Sequence, residues 1–327
     1  MFSIGIDVAK AKLDVCVLFE QRSRTKVVPN SPAGFAQLLA WLQQHWPTQP
    51  LSGVHAILEG TGAYHEAAAC ALFDAGIRVS IVNPAQVRDF ARGLGIRTKT
   101  DGVDSAVLAR YGLLVQPAAW TPPPAHVRVL QALLSRREAI AQDLRRERNR
   151  LEKQQAGQPV VLVQSSLEDS IAFLQQQLKD IERQIDRHID SHPDLKGDEQ
   201  LLQSIPAVGE KVSTQMLSLL RSRSFDTAEQ LAAYLGLVPV ERQSGSSLLG
   251  RARLSKAGPA KLRATLYMAA VVGTRYNPHV KALYERLLAN GKPKMAALGA
   301  AMRKLVHLCF GVWKHQQPYR ADLVNTA

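Results

Sequence analysis

The sequence predicts an α/β domain, then a helical hairpin, then a mostly helical and strongly basic domain. Three observations carry this: short β-branched runs alternating with helical apolar spacing up to residue 121, a heptad-spaced seam near the middle, and a charge imbalance confined to the last quarter. The length of 327 residues suits two or three domains, at roughly 100–200 residues each. With 46% hydrophobic and 21% charged residues, the chain can bury a core, which excludes wholesale disorder.

The runs 2–8 and 13–18 are short and β-branched. The polar turn 9–12 between them predicts an antiparallel pair, and 26–28 adds a third strand to a meander. Residues 31–45 carry helical spacing through Phe35, Leu38, Leu39 and Leu42. Next come a buried strand at 54–58 ending at Glu59, a helix at 67–75 closed by Gly76, and a strand at 77–82 halted by Asn83-Pro84. A helix at 100–112 follows. The order βββ-α-β-α-β-α joins a meander to crossover units, which defines an α/β domain over 1–121. Pro122-Pro123-Pro124 reads as a stiff linker.

Leu167, Ile171, Leu174, Leu178, Ile181, Ile185 and Ile189 alternate steps of three and four residues, the seam of a coiled coil. Ser165 and Glu168 form a capping box at its start, and His192-Pro193 stops it. Leu130, Leu133, Ile140, Leu144 and Leu151 give a weaker seam upstream, and a break at 157–159 separates the two. The expectation is a helical hairpin over 122–195 that packs on itself or dimerises. A third domain covers 196–327.

Cys16, Cys70 and Cys309 lie far apart with no C-x-x-C pair, which excludes a zinc or disulfide framework and suits a reducing cytosol. Met1 is followed at once by a strand pattern rather than a basic and then apolar leader, so no signal peptide is expected. No apolar run approaches the roughly 18 residues of a membrane span. A cytoplasmic protein without a membrane partner is expected.

Residues 1–241 hold 26 basic and 26 acidic side chains, whereas 242–327 hold 15 basic and only two acidic, Glu285 and Asp322. The whole net charge of +13 therefore sits in the last quarter. Such a segment binds a polyanion, because Lys and Arg displace counterions from phosphates. The plainer alternative is a solvated basic surface.

Asp7 ends the first strand, Glu59 ends the strand at 54–58, and Asp101 and Asp104 share one face at a helix start. Converging acids would repel strongly unless hard divalent cations neutralise them. Two Mg²⁺ ions about 3.5–4 Å apart would activate a nucleophile and stabilise a phosphodiester leaving group. Singly, each acid has a duller explanation, Asp101 as a helix-start acid and Asp7 as a turn residue. Carboxylates directly after apolar strand runs weigh against that, since an unpaired one is costly there.

The stretches Gly5-Ile-Asp7-Val-Ala-Lys10, Leu58-Glu59-Gly-Thr-Gly62-Ala-Tyr64, Asn83-Pro84 and Lys99-Thr-Asp101-x-x-Asp104 resemble the DEDD transposases related to the pilin-gene invertase, bridge-RNA-guided recombinases. The resemblance implies a RuvC-like, RNase H-type fold for the N-terminal domain and makes Asp7, Glu59, Asp101 and Asp104 its metal-binding tetrad, with Mg²⁺ as cofactor. Further implied are donor and target DNA, a structured non-coding guide RNA, and a homo-oligomer, dimer or tetramer, built on the coiled coil. A nucleoid-associated location follows from those partners.

In the basic domain, Ser244-Gly245-Ser246-Ser247 precedes five cations, Arg251, Arg253, Lys256, Lys261 and Arg263. Glycine-flanked serines let a backbone approach a phosphate, and the cations could orient it. On residues alone a plain Gly/Ser turn is the better reading of the run. Gly236-Leu-Val-Pro239, the serine run, Gly250 and Gly258-x-x-x-Leu262-Arg263 resemble the family's C-terminal signature, with Pro259 where a polar residue is commoner. The resemblance places the nucleophile at Ser244, with Ser246 and Ser247 as alternatives. It implies that acids and serine together cut and rejoin DNA through a serine–DNA intermediate. Residues 202–211 resemble one hairpin of a helix-hairpin-helix with Ala207 at the usual glycine, or form an ordinary turn. Trp313, Tyr276 and Tyr284 could stack on bases or belong to the core. Two other functions remain: a RuvC-like junction endonuclease using the acids alone, and a non-catalytic nucleic-acid binder on the same scaffold.

Overall fold

The computed structural model describes residues 2–19, 22–60, 62, 64–98, 100–158, 160–244 and 248–322, with backbone alone at 242–244 and 248–252. The chain forms two compact units, Met1–Pro122 and Pro123–Ala327.

The first unit holds strands β1 (Phe2–Val8), β2 (Lys12–Phe19), β3 (Arg22–Pro29), β4 (Val54–Glu59) and β5 (Arg78–Val82). Its helices are α1 (Pro32–His45), α2 (Glu66–Asp74), α3 (Pro84–Gly93) and α4 (Asp101–Val115). The sheet order is β3-β2-β1-β4-β5. β1 pairs antiparallel with β2 and parallel with β4, and β4 runs parallel to β5. This is the mixed sheet, a meander extended by crossovers, expected for an RNase H-like domain.

Period-two alternation assigns the two faces of the central strands. Phe2, Ile4 and Ile6 of β1 and Ala56 and Leu58 of β4 pack with Phe35, Leu38 and Leu42 of α1 and Ala68, Ala69 and Leu72 of α2. The alternate residues face α4: Ser3 Oγ donates to the Ala109 carbonyl at 2.9 Å, and Ile57 packs with Leu108 and Tyr111. Asp7 and Glu59 continue this second register, so the pleat itself turns them toward the side covered by α4.

Two glycines set how closely α4 lies on the sheet. A Cβ added to Gly5 would lie 2.0 Å from the Ser105 carbonyl oxygen and 2.3 Å from the Ala109 nitrogen. One on Gly112 would come within 2.6 Å of Ile57. Thr100 caps the helix, its side chain accepting from Val103 N, which fixes where Asp101 and Asp104 begin.

The strand reading holds closely, with β3 longer than its three-residue signal. Helix α3 has no counterpart in the sequence reading. Asn83-Pro84 ends β5, and it also starts this helix: Asn83 caps it by accepting from Ala85 N, and Pro84 occupies the first helical turn, where its missing N–H is harmless.

The second unit opens with two long helices, α5 (Ala125–Ala156) and α6 (Val161–Asp190), packed against one another. Helix α6 begins at Val161, four residues before the expected cap. Glu168 accepts instead from Gln164 along the helix. Helices α7 (Pro193–Gln203), α8 (Glu210–Ser222), α9 (Ala228–Tyr234), α10 (Ala260–Tyr276), α11 (Pro278–Ala289) and α12 (Lys294–His315) follow. They share a core that includes Leu202, Met216, Leu231, Leu266, Leu305 and Cys309. By length and composition α12 could cross a membrane, yet its stripe of Ala297, Ala301, Leu305 and Cys309 is fully buried in that core. The segment expected to be an ordered loop contains an antiparallel hairpin, β6 (Pro239–Ser244) and β7 (Leu248–Leu254). Charged residues on both strands conceal its alternation.

Gly5→Ala should lower stability by about 1–3 kcal/mol or more, as overpacking against backbone does. The control Gly102→Ala, where an added Cβ meets nothing within 4 Å, should leave it nearly unchanged. Urea unfolding of both variants checks this.

Candidate active site

Asp7, Glu59, Asp101 and Asp104 all line one cleft of the first unit, of about 600 Å³. The strand-end acids arrive by the pleat, and the helix acids arrive on the first turn of α4. Carboxylate oxygens of Asp7, Asp14 and Asp101 lie within 4.8 Å of one another. The sequence reading missed Asp14. Its signal was available, because Asp7 and Asp14 are symmetric about the 9–12 turn and pair directly in the register of β1 and β2.

Lys12 answers part of this negative charge. Its Nζ lies 2.8 Å from Asp101 Oδ2 and 3.0 Å from Asp14 Oδ2. The Asp14 atom is buried and meets Lys12 as an ion contact without hydrogen-bond geometry. The hydrogen bond to Asp101, and after it the contact with Asp14, holds the ammonium more basic than usual.

Asp7 shows the strain of gathering acids. Its carboxyl is pushed from 3.8 up to about 6, first by burial and then by the charges of Asp104, Asp101, Glu59 and Asp14. Oxygen donors in close array, one of them reluctant to ionise, match what a hard divalent cation relieves. The donor set therefore fits Mg²⁺ or a similar ion.

The residues expected in the basic domain divide by surroundings. Ser244 ends β6 with its backbone paired to Leu248. Its side chain and that of Arg251 lie outside the described residues, as do Ser246 and Ser247 entirely. Arg253 and Lys256 are exposed. Lys261 pairs with Glu138 at 3.3 Å. Arg263 donates to the carbonyls of Leu235, Ala257 and Gly258, so it brackets the loop between β7 and α10. Its backbone partners explain its place beside Gly258, which touches the Tyr234 carbonyl so closely that an added Cβ would lie 2.0 Å away.

Ala207 adopts φ +80 in the turn between α7 and α8, the left-handed geometry for which glycine is usual. The side chain of buried Asn277 donates to the Pro206 carbonyl and holds that turn. Trp313 belongs to the fold: its Nε1 donates to buried Asp198, which also accepts from Arg221 and Gln316. Tyr276 is 70% exposed, and Tyr284 is half-buried.

Comparison with known proteins agrees with this arrangement. Residues 4–155 match a family model described as a transposase, and residues 199–285 match the "Transposase IS116/IS110/IS902 family". The pilin gene-inverting protein of Moraxella lacunata is 34% identical over 319 residues, covering 97% of both chains. Its Moraxella bovis counterpart is equally similar over the same span. The T. thermophilus RuvC chain in complex with a Holliday junction superimposes at 18% identity and a TM-score of 0.27 over 36% of this chain, too loosely to define the fold. The protein is thus an enzyme that acts on DNA by transposition or recombination. More narrowly, the chain belongs to the IS110-type DEDD transposases and is related along nearly its whole length to the pilin gene-inverting proteins.

Asp7 gives a test of the acidic cluster. Because its folded pKa of about 6 exceeds 3.8, the folded state binds the extra proton between those values. The associated stability is present at low pH and lost as pH rises through that window. In EDTA, Asp7→Asn should therefore melt above wild type at pH 7.5, and the gap should close near pH 4. Equal melting temperatures at pH 7.5 would mean the acids are not crowded as described.

Proposed function

We propose that this transposase cuts and rejoins DNA through a covalent serine–DNA intermediate, with the carboxylates and the serine acting on one phosphodiester. The observation that carries the reading is the convergence of Asp7, Glu59, Asp101 and Asp104 on a single cleft, with Asp14 beside them. Asp7, Asp101 and Asp14 would hold a divalent ion, with Glu59 and Asp104 as further oxygen donors lining the same cleft. Bound there, Mg²⁺ would supply charge stabilisation at the scissile phosphate.

Ser244 is the nucleophile in this reading, with Ser246 and Ser247 as its alternatives. Its Oγ forms a bond to phosphorus as the P–O bond to one DNA strand breaks, and the freed oxygen takes up a proton. A second strand end then displaces the serine, which rejoins the DNA. Arg253 and Lys256, exposed beside β7, hold the backbone during the exchange, with Arg251 as a third candidate. Arg263 contributes chiefly by fixing the loop before α10, and Lys261 by its pair with Glu138 on α5. A structured non-coding guide RNA selects the donor and target sequences, the partner that the family resemblance implies, since base pairing can supply the sequence reading.

The hairpin of α5 and α6 is the oligomerising element. Supporting this, Leu167, Ile171, Leu174 and Leu178 remain only partly covered, while Leu162 is 83% and Phe173 64% exposed.

The test separates this reading from a junction nuclease. Wild type incubated with its guide RNA, the DNA that this RNA matches and Mg²⁺ should yield a protein–DNA adduct stable to detergent. Ser244→Ala should lose the adduct and strand exchange by roughly 10⁴–10⁶-fold while retaining DNA binding. Loss confined to Ser246→Ala or Ser247→Ala would move the nucleophile. Cleavage by all three serine variants at the wild-type rate, without adduct, would establish the nuclease instead.

A further inference from the structure

The cleft that gathers the acids has a second wall of opposite charge. Arg88 and Arg92 stand one turn apart on α3, and Arg97 follows in the connection to α4. All three line the same cleft as Asp7, Glu59, Asp101 and Asp104. All three are exposed. Arg92 forms a 3.4 Å surface pair with Asp89, and among the described residues no ion pair engages Arg88 or Arg97. The sequence alone hides this wall, because residues 1–241 balance to zero net charge and the helix that presents it begins at an apparent stop signal.

Three features argue that the wall receives a ligand. First, α3 is anchored from beneath: Val87 is buried among Val82, Val107, Leu108 and Tyr111, with Phe90 and Ala91 packed at the edge. The arginines therefore project from a fixed support. Second, they do not neutralise the acids directly, since Lys12 makes the described ion pairs to Asp14 and Asp101. Third, exposed guanidinium groups in a cleft beside a phosphodiester-cleaving centre match the geometry of a strand whose successive phosphates run past that centre. Arginine forks bind phosphate oxygens bidentately.

We infer that Arg88, Arg92 and Arg97 form a phosphate-gripping wall that seats one DNA strand in the cleft, with the phosphate to be cut beside the acids. The inference rests on reading the four acids as the catalytic site. The first unit thus binds DNA locally, and the basic tail at 242–327 is not the sole polyanion contact. The wall positions the strand and takes no part in bond making.

The salt dependence of binding tests this without requiring turnover. The probe is a fluorescein-labelled, mixed-sequence single strand of DNA, titrated with full-length protein in Ca²⁺ across a range of KCl. Each phosphate contact contributes about 0.7 to the slope of log K against log salt for single strands. The variant R88Q/R92Q/R97Q should show a slope shallower by about two, and R88K/R92K/R97K should recover most of it. An unchanged slope in the glutamine variant, with folding verified by circular dichroism, would overturn the wall. Asp101→Asn separates the two readings. It should bind the probe at least as tightly as wild type and fail to react. If it reacts normally, the acid reading fails, while the salt slopes still decide the arginines.

Discussion

The site depends on one close contact, the seating of α4 directly on the backbone of β1 at Gly5. Side chains normally keep a helix several ångströms further from a sheet. Here the absence of a Cβ lets Ser105 and Ala109 approach the strand itself, and Gly112 permits the same near Ile57. That approach brings the first turn of α4, with Asp101 and Asp104, over the strand ends that carry Asp7 and Glu59. Backbone pleat and helix start, rather than flexible loops, therefore hold the acids. A site built on such elements is positioned more tightly than one on loops.

Gathering carboxylates this closely has electrostatic consequences throughout the unit. Asp7 resists ionisation, Lys12 bridges Asp14 and Asp101, and three arginines line the same cleft. Each is a partial answer to concentrated negative charge, at a different distance. Lys12 stands on a long side chain directly against the carboxylates, the place that a divalent ion would take. Two of the arginines stand on a helix of their own and the third follows it, which suits a phosphate held in the same cleft as the acids.

Much of this was legible in the sequence, and the failures have physical causes. Strands in the first unit announced themselves because β1 and β4 are buried on both faces and read as nearly continuous apolar runs. Asp7 and Glu59 stand out because they follow those runs, and Asp101 and Asp104 because their spacing puts them on one face of a helix start. Asp14 carries no motif as a single acid in a strand, and its one signal is its symmetry with Asp7 about the 9–12 turn, which the pairing register turns into contact. Helix α3 was overlooked because Asn-Pro ends a strand and starts a helix with the same residues, and the basic wall vanished with it. In the second unit, Arg263 Nη1 donates to backbone carbonyls, an engagement that no sequence pattern signals. Charge counts report how many cations a segment has, not what they already hold. Trp313 likewise lies among cations but serves Asp198.

The most direct measurement of the central claim is anomalous diffraction from crystals of the full chain soaked in Mn²⁺. Density for at least one ion is expected among the carboxylates of Asp7, Asp14 and Asp101, with Lys12 withdrawn from its bridge and oxygen ligands at about 2.0–2.3 Å, the range of hard divalent cations. Crystals that diffract well, bind Mn²⁺ elsewhere on the surface and show no anomalous peak in this cleft would contradict the account.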